Sequence, residues 1–351
     1  MRTTSPILQR WFALCGLLLL GWALADSALA AEEGRSYRLL IVDSQMGKPY
    51  DEIRAALSQA LESFGYAEGR NLHIRLRVTD NDVKAGEAML RSEVAANRYD
   101  VIYVGGTAAT LSARNVLLGN PGERVVFGAP TDPVGIGVIK DFKSRPSANF
   151  TGVCFPVPLK ARFRFLRQLL PEARNIGLIY ADMPQSRSYN QWVQQLVDGD
   201  PEFRDLKVIF RSVPLQAGEQ GERAMAEAAG KLARAMNDSV DVFLKPNDQM
   251  GTRRFFSEAV YQNASKPLIG LVRDDVMGQW GATAVVYPSH QSIGRQAARM
   301  IRDLFQGARI ADIAPEWPKE YGFAVDLPKA RQFALRIPLD VIQMAGDNVI
   351  K

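Results

Sequence analysis

Apolar and polar positions fall in blocks along the chain, and the blocks switch between two periods. A short apolar run over 37–42 (YRLLIV) is long enough for a strand buried on both faces. Ile53, Leu57, Ala60, Leu61 and Phe64 then recur at helical spacing, and Gly65 follows as a C-terminal cap. Over 72–78, Leu72, Ile74, Leu76 and Val78 alternate with His73, Arg75 and Arg77, which predicts a strand covered on one face only, near a sheet edge. The pattern continues as helix over 89–96, strand over 101–104, helix over 108–118 and strand over 124–127. Strand and helix in alternation, with short connections, predict a mostly parallel, doubly wound sheet.

The texture changes near 143–158, where a polar stretch (141–147, DFKSRPS) precedes Pro156 and Pro158. A lobe boundary is expected there. A second series follows, with helix over 159–170 stopped by Pro171, strand over 176–180, helix over 189–197 and strand over 207–210. It runs on as helix over 221–236, strand over 240–244, helix over 253–261 and strand over 267–272. A second break at 273–281 precedes a strand over 282–287 and a helix over 292–305 closed by Gly307; a last strand over 321–325 and a short helix over 329–334 end the series. The expected fold class is therefore α/β, with two doubly wound parallel-sheet lobes.

The chain of 351 residues is long enough for roughly two domains of about 150 residues. Its start has a different character. Arg2 and Arg10 lead into an apolar stretch over 11–25, and Ala28-Leu29-Ala30 follows. These are the three parts of a secretory signal, and the apolar run is shorter than the ~20 residues a spanning helix needs. Cleavage is expected after Ala30, and export to the periplasm with it. A formal net charge of +5 without a dense Lys/Arg tract gives no nucleic-acid footprint. Two cysteines are too few for a disulfide-stapled scaffold or a thiolate zinc cluster. Cys15 falls in the leader, and Cys154, between Val153 and Phe155, reads as a small buried hydrophobe. Neither a G-x-S-x-G elbow nor an H-E-x-x-H pair occurs, and the two histidines, His73 and His290, are far apart. No catalytic residue, metal or cofactor is expected; the chain reads as a binding protein rather than an enzyme.

In doubly wound sheets ligands sit beyond the carboxyl ends of the strands, so the residues just after each strand carry the functional signal. After the first strand come Ser44 and Gln45 in a loop (43–50) rich in hydrogen-bonding groups. Gly106 and Thr107 open a helix whose free N–H groups suit a carboxylate or phosphate, or else simply form a tight turn. The motif is neither a P-loop nor a dinucleotide fingerprint. Thr131 and Asp132 follow the fourth strand and either meet a ligand or cap the turn. The second series offers Tyr180, Ser186 and Tyr189, then Asn247 and Asp248, then Arg273, which either grips a ligand carboxylate or pairs with Asp274. His290 follows Pro288-Ser289 as a capping or cleft residue, and Trp280 beside the second break is either core or cleft. That mixture suits a small polar or zwitterionic ligand with an aromatic face.

Several pieces, in order, resemble the ABC-transporter substrate-binding family that includes tryptophan- and tyrosine-binding proteins. They are Gly65-Tyr66-Ala67-Glu68-Gly69-Arg70-Asn71, Tyr99-Asp100-Val101-Ile102 leading to Gly106-Thr107-Ala108-Ala109, and Asp132-Pro133-Val134-Gly135. Asn149-Phe150-Thr151-Gly152-Val153, Gly294-Arg295-Gln296-Ala297-Ala298 and Ala324-Val325-Asp326-Leu327-Pro328 continue the match. The resemblance implies a type I periplasmic-binding-protein fold, with two lobes, a three-crossover hinge and late strands that swap lobes. Lobe one would be 36–148 plus 276–314, and lobe two 149–275 plus 315–346. It also implies a monomer that closes on a small-molecule ligand and hands it to an ABC permease in the inner membrane; the alternatives are a sensory protein that signals to a membrane receptor and, behind it, an exported enzyme on the same scaffold. The loops over 43–50 and 273–275 are more polar and charged than the family leads one to expect, which leaves the ligand as a small polar or amino-acid-like solute.

Overall fold

Two sheets, each doubly wound, account for the alternating pattern. The first contains β1 (Tyr37–Asp43), β2 (Leu72–Val78), β3 (Val101–Gly105), β4 (Val125–Gly128) and β5 (Phe150–Val153), all parallel, in the order β2-β1-β3-β4-β5. The second contains β6 (Asn175–Asp182), β7 (Lys207–Pro214), β8 (Val242–Leu244), β9 (Leu268–Ile269), β10 (Ala284–Pro288), β11 (Tyr321–Asp326) and β12 (Val349–Ile350). Their order is β12-β11-β10-β9-β8-β6-β7, with β11 antiparallel to β10 and the other pairings parallel. This computed structural model describes residues 34–216 and 218–351. The expected leader over 1–30 and its cleavage point lie outside the described residues.

Strand β1 shows why the first apolar run predicts a fully covered strand: Leu39 and Ile41 enter one core cluster, Leu40 and Val42 the other. The second sheet is likewise sandwiched between two clusters. β2 lies at the edge, with Leu72, Ile74 and Leu76 packed inward and His73 and Arg75 exposed. Glu93 offsets the charge of that face by accepting from Arg77 Nε at 2.7 Å and standing 3.1 Å from Arg75.

The chain crosses between the lobes three times. After β5 it passes to the helix Leu159–Leu169 of the second lobe; after β10 it returns to the first lobe as the helix His290–Phe305; before β11 it crosses again. The first and third crossings run side by side, since Glu316 N donates to Gly152 O at 2.8 Å and Cys154 N to Glu316 O at 3.1 Å. The boundaries differ from those expected at 148 and 276. The polar stretch over 141–147 is a loop before the last strand of the first sheet, so 150–153 belongs to lobe one, where Phe150 and Val153 are fully buried. The break over 273–281 holds the short helix Asp274–Met277, not a crossing; β10 stays in the second sheet between β9 and β11. The helix Leu339–Ala345 and β12 have no counterpart in the pattern reading.

The helix His290–Phe305 closes the first lobe by lying on the helix Tyr50–Ser63. It buries Ile293, Met300, Ile301, Leu304 and Phe305, each worth about 1.5–3 kcal/mol. Gly294 permits the approach: a Cβ there would lie 2.4 Å from Ile53 O and 2.8 Å from Leu57 N.

In the second lobe, buried polar groups tie the strand ends together. Asp248 Oδ2 accepts from Ala181 N at 2.9 Å and Ser186 Oγ at 3.1 Å, while Oδ1 accepts from Gly251 N at 2.7 Å. Arg162, just past the first crossing, donates from Nη2 to the carbonyls of Lys245 (2.7 Å) and Gly270 (3.1 Å). Lys245 and Asp275 form a fully buried ion pair. Asp275 also accepts from Ser257 Oγ at 3.0 Å and from the amides of Leu271 (2.7 Å) and Val272 (2.9 Å). Burial pushes Lys245 below the usual lysine range, against the pull of Asp275.

Two outcomes follow from this packing. Gly294→Ala is expected to cost about 1–3 kcal/mol through overpacking, read as a lower urea midpoint with unchanged m-value; an unchanged midpoint would show that the two helices can separate freely. Burial also pushes the Asp248 carboxyl from 3.8 up to about 6, against the hydrogen bonds it accepts. Between those values the folded chain holds that proton more tightly than the unfolded one, so the group's contribution is full below 3.8 and is lost as pH rises through about 6. Wild-type stability relative to Asp248→Asn should therefore shrink between pH 4 and pH 7; a constant difference in melting temperature would place the carboxyl at its ordinary affinity.

Candidate functional site

Each sheet has one point where the strand order reverses, β1/β3 in the first and β6/β8 in the second. Loops leaving neighbouring strands there run to opposite faces and leave a crevice at the carboxyl ends. The two crevices face one another across a cleft of about 840 Å³. Gln45, Thr107, Ala108 and Thr131 line it from lobe one; Gln185, Asn247, Asp248, Val272 and Trp280 line it from lobe two; Phe155 and His290 line it from the crossing segments.

The lobe-one wall is built around the start of the helix Thr107–Leu117. Ser44 Oγ donates to Gly105 O at 2.8 Å and accepts from Ala109 N at 3.0 Å, fastening the first loop to the helix. Gly106 has φ +86°, and a Cβ on it would lie 2.5 Å from Tyr50 Cε1. Only glycine lets the Tyr50 ring close over that turn. Thr107 Oγ1 accepts from Thr131 N at 3.1 Å, which sets both threonines side by side on the wall. Thr107 and Ala108, in the first turn of that helix, line the cleft with the positive end of the helix dipole behind them. Asp43 lies buried behind Ser44; burial raises its carboxyl to about 6, against the pull of its ion pair with Arg54.

Six of the twelve residues expected at the site line the cleft: Gln45, Thr107, Thr131, Asn247, Asp248 and Arg273. The other six stand outside its lining. Ser44 and Gly106 shape the wall from behind. Asp132 caps the short helix Pro133–Ile136, with Gly135 N donating at 2.7 Å, and accepts from Ser188 of the other lobe. Burial raises its pKa. Tyr180 points into the second-lobe core, Ser186 spends its hydroxyl on Asp248, and Tyr189 is core, its hydroxyl 3.4 Å from Arg162 Nη1. Arg273 lines the rim with Nε donating to Asn348 at 2.9 Å and Nη1 standing 3.9 Å from Asp274. Asn247 is 2% exposed, and its Nδ2 has no partner.

Several lining residues were not singled out in the sequence. Lys48 belongs to the polar first loop, and Tyr50 and Glu52 lie in the first turn of the following helix. Phe155 and Arg253 carry no local signal, because a crossing segment and a helix start place them. His290, left open as cap or cleft, lies on the rim, and Ser289 is the cap instead. Charges at the rim form a chain: His290 Nδ1 meets Glu52 at 2.7 Å, Lys48 stands 3.2 Å from Glu52, and Lys48 reaches Asp274 of the other lobe at 3.8 Å. Burial raises Glu52, but hydrogen bonds from His290 and Lys48 outweigh it and leave its pKa below the usual value. Among the described residues no cluster of three or more His, Cys, Asp or Glu could hold a metal ion.

A cleft between two sheets, lined by polar groups and aromatics on both walls, suits capture of a small solute. The known proteins that the chain is similar to share this architecture. A tyrosine-binding protein of Clostridioides difficile is 23% identical over 303 residues, covering 85% of this chain and 79% of that protein. A conserved domain protein of Vibrio cholerae superposes with a TM-score of 0.72 at 20% identity, covering 90% of this chain and 100% of that one. The ABC domain of a Streptococcus pneumoniae protein in complex with L-Trp gives a TM-score of 0.71 at 21% identity, over 90% of this chain and 100% of that chain. The two-lobe α/β fold is thus that of the periplasmic binding proteins. The profile of the ABC transporter substrate binding proteins matches residues 44–349, and the chain belongs to that family.

Proposed function

We propose that this protein captures a small polar or amino-acid-like solute in the periplasm and presents it to an ABC permease in the inner membrane, without chemical change to the solute. The cleft lined by the reversal points of both sheets carries this reading. A solute that touches Thr107, Thr131 and the helix amides on one side and Asn247 on the other binds the closed arrangement better than any open one. Its differential affinity is what shifts the lobes together. A carboxylate fits the first wall, where amides and hydroxyls converge. The names of the relatives, one tyrosine-binding and one holding L-Trp, support an amino acid as the first class to try. Closure would turn on the three crossings and on the helix Pro184–Gly199, whose Ser188 meets Asp132 and whose Trp192 lies edge-on to Trp317 at 5.9 Å. Export through a leader cut after Ala30, and action as a monomer, complete the proposal.

The test is a thermal-shift screen of the mature protein over amino acids, purines, sugars and small anions. An amino acid is expected to raise the melting temperature by mass action. Thr107→Val in one lobe and Asn247→Ala in the other should each weaken that ligand about tenfold, equivalent to ~1.4 kcal/mol, and scattering should show a smaller radius of gyration with ligand. If no solute shifts the melting point, or if both variants bind as tightly as wild type, the reading fails.

A further inference from the structure

A second hollow, of about 460 Å³, runs along the open edge of β2, and its lining residues are all different from those of the cleft. Arg38, His73, Arg75, Arg77 and Tyr99 line it. Register explains the gathering of charge. Arg38 on β1 pairs with His73, and Arg75 and Arg77 follow at two-residue intervals, so all four side chains stand on one face of the sheet. A buried carboxylate organises them. Glu93, 7% exposed, accepts from Arg77 Nε and from the Tyr99 hydroxyl, each at 2.7 Å, and stands 3.1 Å from Arg75 Nε. Arg38 lies over the Tyr99 ring, 5.6 Å from its centroid, and donates from Nη2 to Asn97 at 3.2 Å. Burial raises Glu93, but the bonds from Tyr99 and Arg77 outweigh it and leave its pKa below the usual value, so the carboxylate is charged. Asp100, the next carboxylate, accepts from the Arg38 amide at 2.8 Å and does not line the hollow. Positive charge is therefore in excess. The edge adds backbone donors. Tyr37 N donates to Asn71 O at 2.9 Å, so β2 turns the amides of His73, Arg75 and Arg77 to β1 and those of Ile74 and Leu76, which also line the hollow, outward.

We propose that this hollow is a second binding site, for a phosphate group, separate from the solute cleft and independent of what the cleft binds. Charge on an edge strand guards it against pairing with another chain, but that duty requires neither a shared buried carboxylate nor a ring under one of the arginines. Arg38 and Arg75 are each held through one nitrogen, and a guanidinium has five N–H donors in a fork that matches phosphate oxygens. These two contact the phosphate. Arg77 is spent on Glu93 and, through Nη1, on Leu76 O at 3.0 Å, and acts as a positioning residue. The outward amides of Ile74 and Leu76 complete the donor set. A group with several acceptor oxygens and spread negative charge fills it, whereas a monocarboxylate fills less of it. The group is borne either by free phosphate or by the headgroup of an anionic phospholipid.

Two measurements on the mature protein test this. One is the thermal shift given by inorganic phosphate, with acetate and chloride at equal ionic strength as references. The other is co-sedimentation with phosphatidylcholine vesicles, with and without phosphatidylglycerol. Arg38→Gln with Arg75→Gln removes both contacting cations and touches neither core nor cleft. Arg145→Gln with Arg309→Gln removes the same charge from exposed positions elsewhere on lobe one. Wild type and the Arg145/Arg309 variant should respond saturably to phosphate or sediment with the anionic vesicles, and the Arg38/Arg75 variant should bind about tenfold more weakly, the scale of two cation contacts. A response to phosphate without sedimentation assigns the site to the free ion, and sedimentation assigns it to the headgroup. If wild type responds to neither probe, the proposal is overturned. An equal response in all three chains marks the cleft or an adventitious ion only, and an equal loss in both variants marks general surface charge; either result also overturns it.

Discussion

Parallel pairing with helices on both faces covers the strands of the first sheet other than the edge strand β2 and the middle strands of the second, so the inner sheet faces have no surface left to offer a solute. What remains exposed is the row of loops at the carboxyl ends. Those loops meet only because the chain crosses three times between the lobes and sets two reversal points opposite each other. The cleft depends on this constraint. The close seat of Gly294 on the backbone of Ile53 and Leu57 serves it by anchoring the helix that follows the second crossing.

The two walls are stiffened by different chemistry. In lobe one, neutral hydroxyls do the fastening: Ser44 binds the helix start, and Thr107 accepts from the Thr131 amide. In lobe two the fastening is ionic and buried, through Asp248, Arg162 and the Lys245–Asp275 pair. Buried pairs of this kind are a weak source of net stability, but they leave few alternative positions for the groups they hold. Carbonyl and amide groups from the ends of β6, β8 and β9 all enter this network. The lobe-two loops are thus held at the edge of the cleft without any ligand contact.

Much of the architecture was readable from periodicity. The run over 37–42, the alternation over 72–78 and the helical spacing from Ile53 to Phe64 each became the element expected, because their burial is decided locally by which face is apolar. β5 was missed: Phe150-Thr151-Gly152-Val153 is short and follows a polar loop, and a four-residue strand has no period to show. The site was only half legible. Ser186 and Asp248 both follow strands and both are polar, yet the first spends its hydroxyl on the second, inside the lobe.

By itself, then, the order of apolar and polar residues determined the repeated βα units and the edge position of β2, and motifs kept in series carried the resemblance to a substrate-binding family. Those depend on contacts within a few turns of chain or on motifs kept in series. Tertiary structure alone decided that β10 stays in the second sheet, that Tyr189 is core while Trp280 meets the cleft, and that Lys48 reaches Asp274 across the rim. Which of several polar neighbours faces a cleft is settled by partners tens or hundreds of residues away. No local pattern encodes that choice.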